Sequence, residues 1–422
     1  MTTATRPDAG PARTILPNGL TVLSEKVPGV RSVALGAWVR AASIHEPRER
    51  MGVSHLLEHM VFKGTHSRSA REIALALETL GGSLDAYTAR EHTSFQARAL
   101  DEHLGTAADV LADLVFHPML RAEDLKLERK VVLEEISTVE DTPDDLVFEL
   151  HNEAMWGAHP YGYQILGTRE TVSALGVQEL RELHARAYNP PQIVVACAGN
   201  VEHDELLESL ERAGWAAMPR GDDRPITAPA ITPEPPRVRH VEREGAQTHI
   251  VFGSRTVPYG DPRRYAVALV DTILGGGMSS RLFQRVREEL GLAYDVHSFQ
   301  SFHPDAGVHG VYVGTAPESA REAAVAVRDE LSRLAGESLT EEELASGKRQ
   351  LAGSVVLSLE SVRSRMYRAA ESALYGVPYR SIEETLALID AITPEQVAAV
   401  CSEFYDPAVQ TVLSLGPAPA IP

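Results

Sequence analysis

The chain has 422 residues, 44% of them hydrophobic, which is enough length and apolar material for two or three domains with buried cores. Its formal net charge is −19 at pH 7 and it contains no block of basic residues, which argues against a nucleic-acid-binding protein. The two cysteines, Cys197 and Cys401, both lie in apolar runs, and we interpret them as core thiols of a protein in a reducing compartment.

The sequence carries no sign of export or of membrane insertion. The amino-terminal residues lack the apolar segment of a signal peptide. No apolar run approaches the roughly 20 residues that a membrane-spanning helix requires. We therefore expect a cytoplasmic protein without a membrane partner.

Strand-like and helix-like patterns follow one another along the first half without strict alternation. Strands are predicted on both sides of a Pro-Asn-Gly turn in the segment 12–27, and at 31–39, 83–99 and 191–198. Helices are predicted at 52–63, 70–80, 101–115, 121–139 and 171–187. Ser69 is expected to cap the helix at 70–80, and Gly81 with Gly82 to end it. The pattern indicates a mixed or antiparallel sheet with helices packed on it, an α+β fold.

Landmarks of the first half recur in the second half at a constant offset. Tyr188 and Tyr405 each open a Tyr-Asn-Pro or Tyr-Asp-Pro turn that leads into an apolar strand, and they lie 217 residues apart. Gly36 and Gly253 each lie in the middle of a predicted strand and are separated by the same 217 residues. One offset at both ends of the unit predicts that an α+β domain has been duplicated within the chain.

The joint between the two copies is predicted in a segment rich in proline and charge, MPRGDDRPITAPAITPEPPR. This segment has no apolar periodicity, which is typical of an extended linker. The predicted domains are therefore residues 1–217 and 238–422, joined by a linker at 218–237.

An unusual set of polar residues lies in the predicted helix at 52–63. On a helical wheel His55, Glu58 and His59 fall within an arc of about 100°, while leucine, methionine and valine cover most of the remaining circumference. Burying these polar groups without partners would cost several kcal/mol each. Two imidazoles at positions i and i+4 are a common Zn²⁺ ligand pair, which would leave Glu58 free to act as a base. The alternative is a hydrogen-bonded pair of core histidines.

The helix at 121–139 supplies candidates for a third ligand. Its apolar stripe is formed by Leu125, Val132, Ile136 and Val139. Glu128 and Glu135 fall inside this stripe, about 20° from each other, whereas Glu134 falls on the solvent side. A buried carboxylate needs a cation, and the metal is the cation that the sequence offers. The alternative is a salt bridge to an arginine elsewhere in the chain.

The string His55-x-x-Glu58-His59, followed after 75 residues by Glu135, resembles the inverted zinc-peptidase signature of the pitrilysin, insulin-degrading enzyme and mitochondrial processing peptidase family. The stretches HMVFKGT, LGGSLDAYTAREHTSF, ERKVVLEEI and YNP fit the same family. The resemblance therefore spans nearly the whole chain, which is similar to the bacterial, processing-peptidase-like members.

This resemblance implies a zinc metalloendopeptidase with one Zn²⁺ per chain, held by His55, His59 and Glu135. It implies that Glu58 is the general base that activates a water for attack on the scissile carbonyl. Glu128 matches a second family glutamate, which either orients a metal ligand or is purely structural.

The second copy lacks the metal ligands but has substrate-binding candidates of its own. At the offset of 217, the three polar positions of the metal helix correspond to Thr272, Gly275 and Gly276. The glycine run there has no following lysine, which argues against a phosphate-binding loop. Further along, RVREELGLAY resembles the family's substrate element and implies that Arg287 and Tyr294 hold the substrate backbone, with the tyrosine hydroxyl stabilising the oxyanion. The alternative for Arg287 is a solvent-facing helix residue.

The resemblance also implies a substrate-binding strand at 81–88, on a sheet edge where a peptide can add as a further strand. Asp85 and Ala86 match this edge, although the family usually has asparagine at the position of Asp85. The extra negative charge would either weaken peptide binding or favour basic substrates.

Three further residues are candidates for substrate contacts. Phe62 falls on the metal face of its helix and matches a family residue that lines the pocket just after the scissile bond, which implies an apolar or aromatic substrate residue there. Asp145 and Glu149 fall where processing peptidases present acids to a substrate arginine. The run DTPDDLVFE that contains them is also typical of a solvated face, so both interpretations stay open.

The leading hypothesis is therefore a zinc endopeptidase that cuts extended peptides or presequence-like segments. In this family some chains carry zinc and others carry the Arg/Tyr pair, and the two assemble. This chain carries both, which favours a self-sufficient peptidase that pairs as a homodimer. The alternative is a non-catalytic scaffold subunit of the same fold, although such chains usually lack a zinc ligand or the base. A non-peptide zinc hydrolase would not explain Arg287 and Tyr294.

Overall fold

The computed structural model describes residues 10–420, which form two compact units. The first unit contains the chain up to Ser137 together with Tyr163–Pro229 and Ser358–Ser381. The second unit contains Thr138–Gly162, Ala230–Leu357 and the chain from Ile382. Each unit thus includes a segment from the opposite half of the sequence. The domain boundaries predicted at 217 and 238 refer to the copies along the chain, and they stay a prediction.

The described residues form strands that gather into two sheets. In chain order the strands are β1 (Ala12–Ile15), β2 (Thr21–Lys26), β3 (Ser32–Val39), β4 (Ser83–Thr88), β5 (Thr93–Leu100), β6 (Ile193–Gly199), β7 (Val238–Glu242), β8 (Thr248–Thr256), β9 (Ala293–Phe302), β10 (Gly307–Thr315) and β11 (Thr411–Gly416).

Helices pack on both sheets. In chain order they are α1 (Val53–Val61), α2 (Ala70–Glu78), α3 (Leu104–Phe116), α4 (Ala122–Asp141), α5 (Pro143–Trp156), α6 (Arg169–Ala174), α7 (Val177–Ala187), α8 (His203–Arg212), α9 (Arg264–Gly275), α10 (Ala320–Glu337), α11 (Glu341–Ser358), α12 (Val362–Leu374), α13 (Ile382–Asp390) and α14 (Pro394–Phe404). A π-helical segment, Phe283–Glu289, precedes β9. None of the described helices combines the length and the hydropathy needed to cross a lipid bilayer.

The two sheets share one topology. The first has the strand order β1-β2-β6-β3-β5-β4 and the second the order β7-β11-β8-β10-β9. In each sheet one pair is parallel, β2 with β6 and β7 with β11, and the other neighbours are antiparallel. Apart from β1, each strand of the first sheet therefore has a counterpart in the second sheet, in the order β2, β6, β3, β5, β4 and β7, β11, β8, β10, β9. The predicted fold class, two α+β domains with mixed sheets, is confirmed.

Helix α5 belongs to the second unit although it precedes the predicted linker at 218–237. Its Val147 lies in a buried apolar cluster with Val251 of β8 and Leu413 of β11. On the same helix the ring of His151 is fully buried, and its Nε2 lies 3.1 Å from the Thr411 carbonyl oxygen. The helix therefore covers one face of the second sheet.

Helix α12 has the corresponding place in the first unit. Its Met366 and Ala369 are buried in an apolar cluster with Trp38 of β3 and with Val194 and Ala196 of β6. The opposite face of the same sheet packs against a larger core that includes α1, α3 and α7. The first sheet is thus enclosed on both faces, and one cover comes from the second half of the chain.

Local sequence signals explain several element ends. Ser69 accepts a hydrogen bond from the Glu72 amide and completes a capping box, and Gly81 has a φ of 74°, so the predicted cap and stop of α2 are confirmed. The single helix predicted at 171–187 is wrong, because the chain breaks before Gly176 into α6 and α7. Helix α5 was not predicted, although Pro143 in its first turn is typical of a helix start.

Both cysteines are buried and unpaired, as predicted. Burial raises the pKa of each thiol, to about 12 for Cys401, so neither is ionised near neutral pH. Each belongs to the main apolar core of its unit, Cys197 to the first and Cys401 to the second. Their role is therefore packing.

One buried acid in the second unit makes stability depend on pH. Asp271 of α9 is buried, and this burial raises the pKa of its carboxyl to about 6. An unfolded chain ionises this group near its ordinary value of about 3.9. The native state thus favours the protonated acid, and its stabilising contribution is complete below the unfolded pKa and is lost as pH rises through about 6.

We expect Asp271→Asn to stabilise the second unit more at pH 8 than at pH 5. The amide keeps the shape of the protonated acid but does not ionise, and the gain at pH 8 should be about 1–3 kcal/mol. Thermal and urea unfolding of variant and wild type at both pH values measure this gap. Asp305→Asn, at an exposed position in the same unit, is the control. A stability difference between variant and wild type that is the same at both pH values would contradict the raised pKa of Asp271.

Candidate functional site

The amino end of helix α1 is fixed by a buried carboxylate. Glu46 accepts hydrogen bonds from the amides of Gly52 and Ser54, both at 2.8 Å, and so satisfies donors that a helix start leaves free. Gly52 has a φ of 90°, and a Cβ there would lie 2.5 Å from the Leu166 carbonyl oxygen, so only glycine fits. Glu46 was not predicted from the sequence, because it lies six residues before Gly52, outside the usual cap position.

Helices α1 and α4 bring the three predicted metal ligands together. The Nε2 atoms of His55 and His59 lie 3.7 Å and 3.6 Å from Oε2 of Glu135. The ligand atoms of the three residues all lie within 4.8 Å of one another, and no other such group of three or more occurs within residues 10–420. Glu134, the neighbour that the helical wheel placed outside, is exposed. The prediction that Glu135 is buried is wrong, because 40% of its side chain is exposed, whereas Glu128 is buried as predicted. The arrangement can hold a metal ion.

The donor set fits zinc in both spacing and protonation. A tetrahedral Zn²⁺ with ligand bonds of about 2.0–2.2 Å requires ligand atoms about 3.3–3.6 Å apart, close to the two distances found here. Burial lowers the pKa of His55 to about 3, with a smaller contribution from His59, so the imidazole is neutral and can offer a lone pair. Two imidazoles and one carboxylate are also a usual ligand set for a catalytic zinc site.

Glu128 lies beside this group and orients one of its members. Its Oε2 accepts a hydrogen bond from Nδ1 of His59 at 3.2 Å, which leaves Nε2 of that ring as the lone pair facing Glu135. Its Oε1 pairs with the ammonium of Lys63 at 2.7 Å. The metal was predicted to be the counter-charge of the glutamates on the apolar stripe of α4. For Glu128 this is corrected, since Lys63 supplies the positive charge.

Glu58 is buried on the same face of α1, with only 8% of its surface exposed. Its Oε2 accepts a hydrogen bond from the Thr88 hydroxyl at 2.7 Å. Burial raises the pKa of its carboxyl, the Thr88 hydrogen bond and His59 oppose this, and the charges of Glu135 and Asp85 add to it. A carboxylate whose affinity for protons is raised in this way suits a general base. Thr88, at the end of β4, was not identified from the sequence.

The segment matched to a substrate-binding strand forms β4, which lies at one edge of the first sheet. Asp85 does not carry a free charge there, since its Oδ2 lies 3.0 Å from Nη2 of Arg363 in α12. The positive charge of Arg363 therefore offsets the negative charge that was expected to weaken peptide binding or to favour basic substrates. Ala86, the next residue, packs against the first-unit core.

Phe62 is half-buried at the carboxyl end of α1. Its ring lies 6.4 Å from that of Phe95, and it packs against the buried side chains of Ile73 and Val110. The residue thus has a packing role in the first unit, and its contact with a substrate stays a prediction.

The second unit brings Arg287 and Tyr294 together. The guanidinium carbon of Arg287, on the π-helical segment, lies 4.5 Å from the ring centroid of Tyr294 and 4.7 Å from that of Phe283. Tyr294 itself is 78% exposed. Arg287 therefore contacts two aromatic rings, while 34% of its side chain is exposed. Its role in substrate binding stays a prediction.

Asp145 and Glu149 lie on α5 and hence in the second compact unit. Along the sequence, both fall within the predicted first domain, residues 1–217, which contains the metal-ligand candidates. Asp145 is exposed and Glu149 half-buried. Their assignment to an arginine-binding subsite stays a prediction. The second-unit positions Thr272, Gly275 and Gly276 lie at the end of α9 and just after it, where they provide no metal ligand.

Comparison with known proteins matches both halves of the chain to one family. The family model for Insulinase (Peptidase family M16) matches residues 21–169, and that for the Peptidase M16 inactive domain matches residues 174–351. An uncharacterized zinc protease of Mycobacterium leprae is 40% identical over 407 residues, covering 94% of this chain and 90% of the relative. The uncharacterized zinc protease YmxG of Bacillus subtilis is 38% identical and covers 92% and 94%.

Solved structures show the same fold. A protease from Helicobacter pylori superposes with a TM-score of 0.90 at 20% identity and covers 96% of this chain and 99% of its own. A peptidase M16 inactive domain from Pseudomonas fluorescens gives a TM-score of 0.89 at 24% identity, with 98% and 99% covered. Together with the matched family models and the relatives that span nearly its full length, these findings show that the chain belongs to peptidase family M16, the insulinase family.

Proposed function

We propose that this protein is a zinc metalloendopeptidase that hydrolyses extended peptides or presequence-like segments. The observation that carries the proposal is the convergence of His55, His59 and Glu135, with buried Glu58 on the same helix as the two imidazoles. The names of the relatives in Mycobacterium leprae and Bacillus subtilis, both zinc proteases, support the choice of metal and of reaction.

In this proposal the residues of the first unit have separate roles. When bound, one zinc ion per chain lowers the pKa of a water and polarises the scissile carbonyl. Glu58 takes the proton from the attacking water and delivers it to the leaving amine. Glu128 holds the ring of His59 in one orientation. The free edge of β4, around Asp85 and Ala86, pairs with the backbone of the peptide.

The second unit contributes substrate contacts in this proposal. Tyr294 presents an exposed hydroxyl that can donate a hydrogen bond to the oxyanion, and Arg287 holds its ring from one side. Asp145 and Glu149 are proposed to receive a basic substrate side chain, and Phe62 to contact the residue after the scissile bond. Pairing of the chain as a homodimer stays a prediction, which light scattering of the purified protein tests.

We expect Glu58→Gln to abolish peptide cleavage and to leave zinc bound. The amide keeps the size of the side chain but does not accept the proton, so kcat should fall by at least about 10²-fold. Cleavage of a random peptide library and metal analysis of the purified variant measure both effects, with the exposed Glu78→Gln as control. Loss of zinc would show that Glu58 is a ligand. Zinc-loaded wild type that cuts no peptide would favour the scaffold role instead.

A second pair of variants tests the choice of the third ligand. We expect Glu135→Gln to weaken zinc binding by more than the roughly 10–100-fold typical of losing an outer partner of a ligand. Glu134→Gln is the matched control on the adjacent, exposed position and should bind zinc like the wild type. Competition with a chelator gives the affinities, and circular dichroism verifies the fold. Equal weakening in both variants would refute the assignment of Glu135.

We expect Tyr294→Phe to reduce turnover while zinc content and ground-state binding change little. A hydroxyl that donates to the oxyanion acts mainly in the transition state, and losing one such donor typically costs about 10²–10³ in rate. Steady-state kinetics of the variant supply kcat and KM, with Tyr265→Phe on α9 as the control. Turnover close to that of the wild type would show that the hydroxyl has no part in the reaction.

A further inference from the structure

We infer that Thr88 is a positioning residue that fixes the carboxylate of Glu58 for proton transfer. The inference rests on the proposed function, since it assigns Glu58 the role of the base. It adds a residue that neither the metal-ligand spacing nor the substrate-strand match singled out. The contact that carries it is the hydrogen bond from Oγ1 of Thr88 to Oε2 of Glu58, at 2.7 Å.

Because Glu58 is buried, this hydrogen bond determines the orientation of its carboxylate. Glu58 is buried, so bulk water does not replace a lost donor. Hydrogen bonds to a charged acceptor are roughly twice as strong as neutral ones. With Oε2 engaged by Thr88, rotation about the last bond of the side chain is restricted, and Oε1 is the oxygen left to receive a proton.

The donor is itself held in place by the sheet. Thr88 is the last residue of β4, and its Cα is paired with that of Thr93 in β5. Thr93 is fully buried, and its hydroxyl donates to the Ala41 carbonyl oxygen at 3.1 Å. The β-branched side chain of threonine has few rotamers, which restricts the direction of Oγ1 further. Thr88 therefore presents its hydroxyl from a fixed backbone.

The alternation of side chains along β4 places this hydroxyl on the face that carries α1. Leu84 and Ala86 pack against the core on that face, and Thr88 follows at the next position of the same parity. Asp85 and Tyr87 point the other way, where both contact side chains of α12. One face of β4 therefore contacts α12, and the other face packs on the core and carries the hydroxyl that contacts Glu58.

This arrangement links the orientation of the base to the substrate-binding edge. A peptide that adds to β4 as a further strand pairs with the backbone of the same element whose last residue holds Glu58. One strand then sets both the register of the peptide and the direction of the proton acceptor. Small errors in such geometry are costly, because a misplacement of about 1 Å can lower a rate about 10²-fold.

Substitution of Thr88 by valine and by serine tests the inference. Valine keeps the shape but lacks the donor, so kcat should fall about 10–100-fold while KM and zinc content stay close to wild type. Serine keeps the donor and should restore kcat to within about threefold of wild type. Thr79→Val, at an exposed threonine after α2, is the control. Thr88→Ala provides a second donor-free variant in case valine disturbs the strand, and thermal unfolding verifies that each protein is folded.

The outcomes separate this inference from the proposed function. Wild-type kcat in folded Thr88→Val or Thr88→Ala overturns the positioning role and leaves the peptidase assignment intact. A rise in KM with unchanged kcat also overturns it, because Thr88 would then act in peptide binding. Serine as impaired as valine would trace the effect to the methyl group and to packing. Zinc-loaded wild type without any cleavage would overturn the proposed function and, with it, the role of Thr88.

Discussion

The site depends on one constraint, which is that helix α1 is buried on nearly every side and yet carries the polar side chains of His55, Glu58 and His59 in addition to Ser54. A buried polar group without a partner costs free energy comparable to a lost hydrogen bond, and a buried charge costs more. The structure meets much of this requirement from several elements, although Nδ1 of His55 is buried without a hydrogen-bond partner among residues 10–420. Glu128 of α4 partners one imidazole, Thr88 of β4 partners the carboxylate, and Glu46 partners the backbone at the start of the helix. The geometry of the site is therefore a consequence of tertiary packing around a single short helix.

Local periodicity explains what the sequence predicted well. The wheel of α1 depends only on the spacing of its residues, and so does the choice of Glu135 over Glu134 on α4. The same holds for the capping box of Ser69 and for strands such as β3 and β6, whose apolar runs are short and clear. These features are set by neighbours a few positions apart, which a single sequence shows directly.

The partners of the site residues could not be predicted in this way. Glu46 and Thr88 lie on elements whose distance from Glu58 and the histidines is fixed only when the unit folds. Lys63 lies just after α1, but its partner Glu128 on α4 comes within reach only in the folded unit. In the sequence alone, Glu46 is an acid in a loop, Lys63 a lysine expected at the surface and Thr88 a threonine in a strand, and none of these features indicates a functional site. The salt bridge of Asp85 with Arg363 is a clearer case, because the two residues are 278 positions apart. Without the fold, nothing in the sequence connects them.

The placement of α12 on the first sheet has a consequence for how the protein is made. All six strands of that sheet have left the ribosome soon after Gly199 is synthesised, but Val362 follows much later. At typical translation rates of about 5–20 residues per second, the face around Trp38 and Val194 waits on the order of 10–30 s for its cover. During that time the nascent chain exposes apolar surface. We expect chaperones to bind this intermediate, and separately expressed halves to be poor autonomous folders.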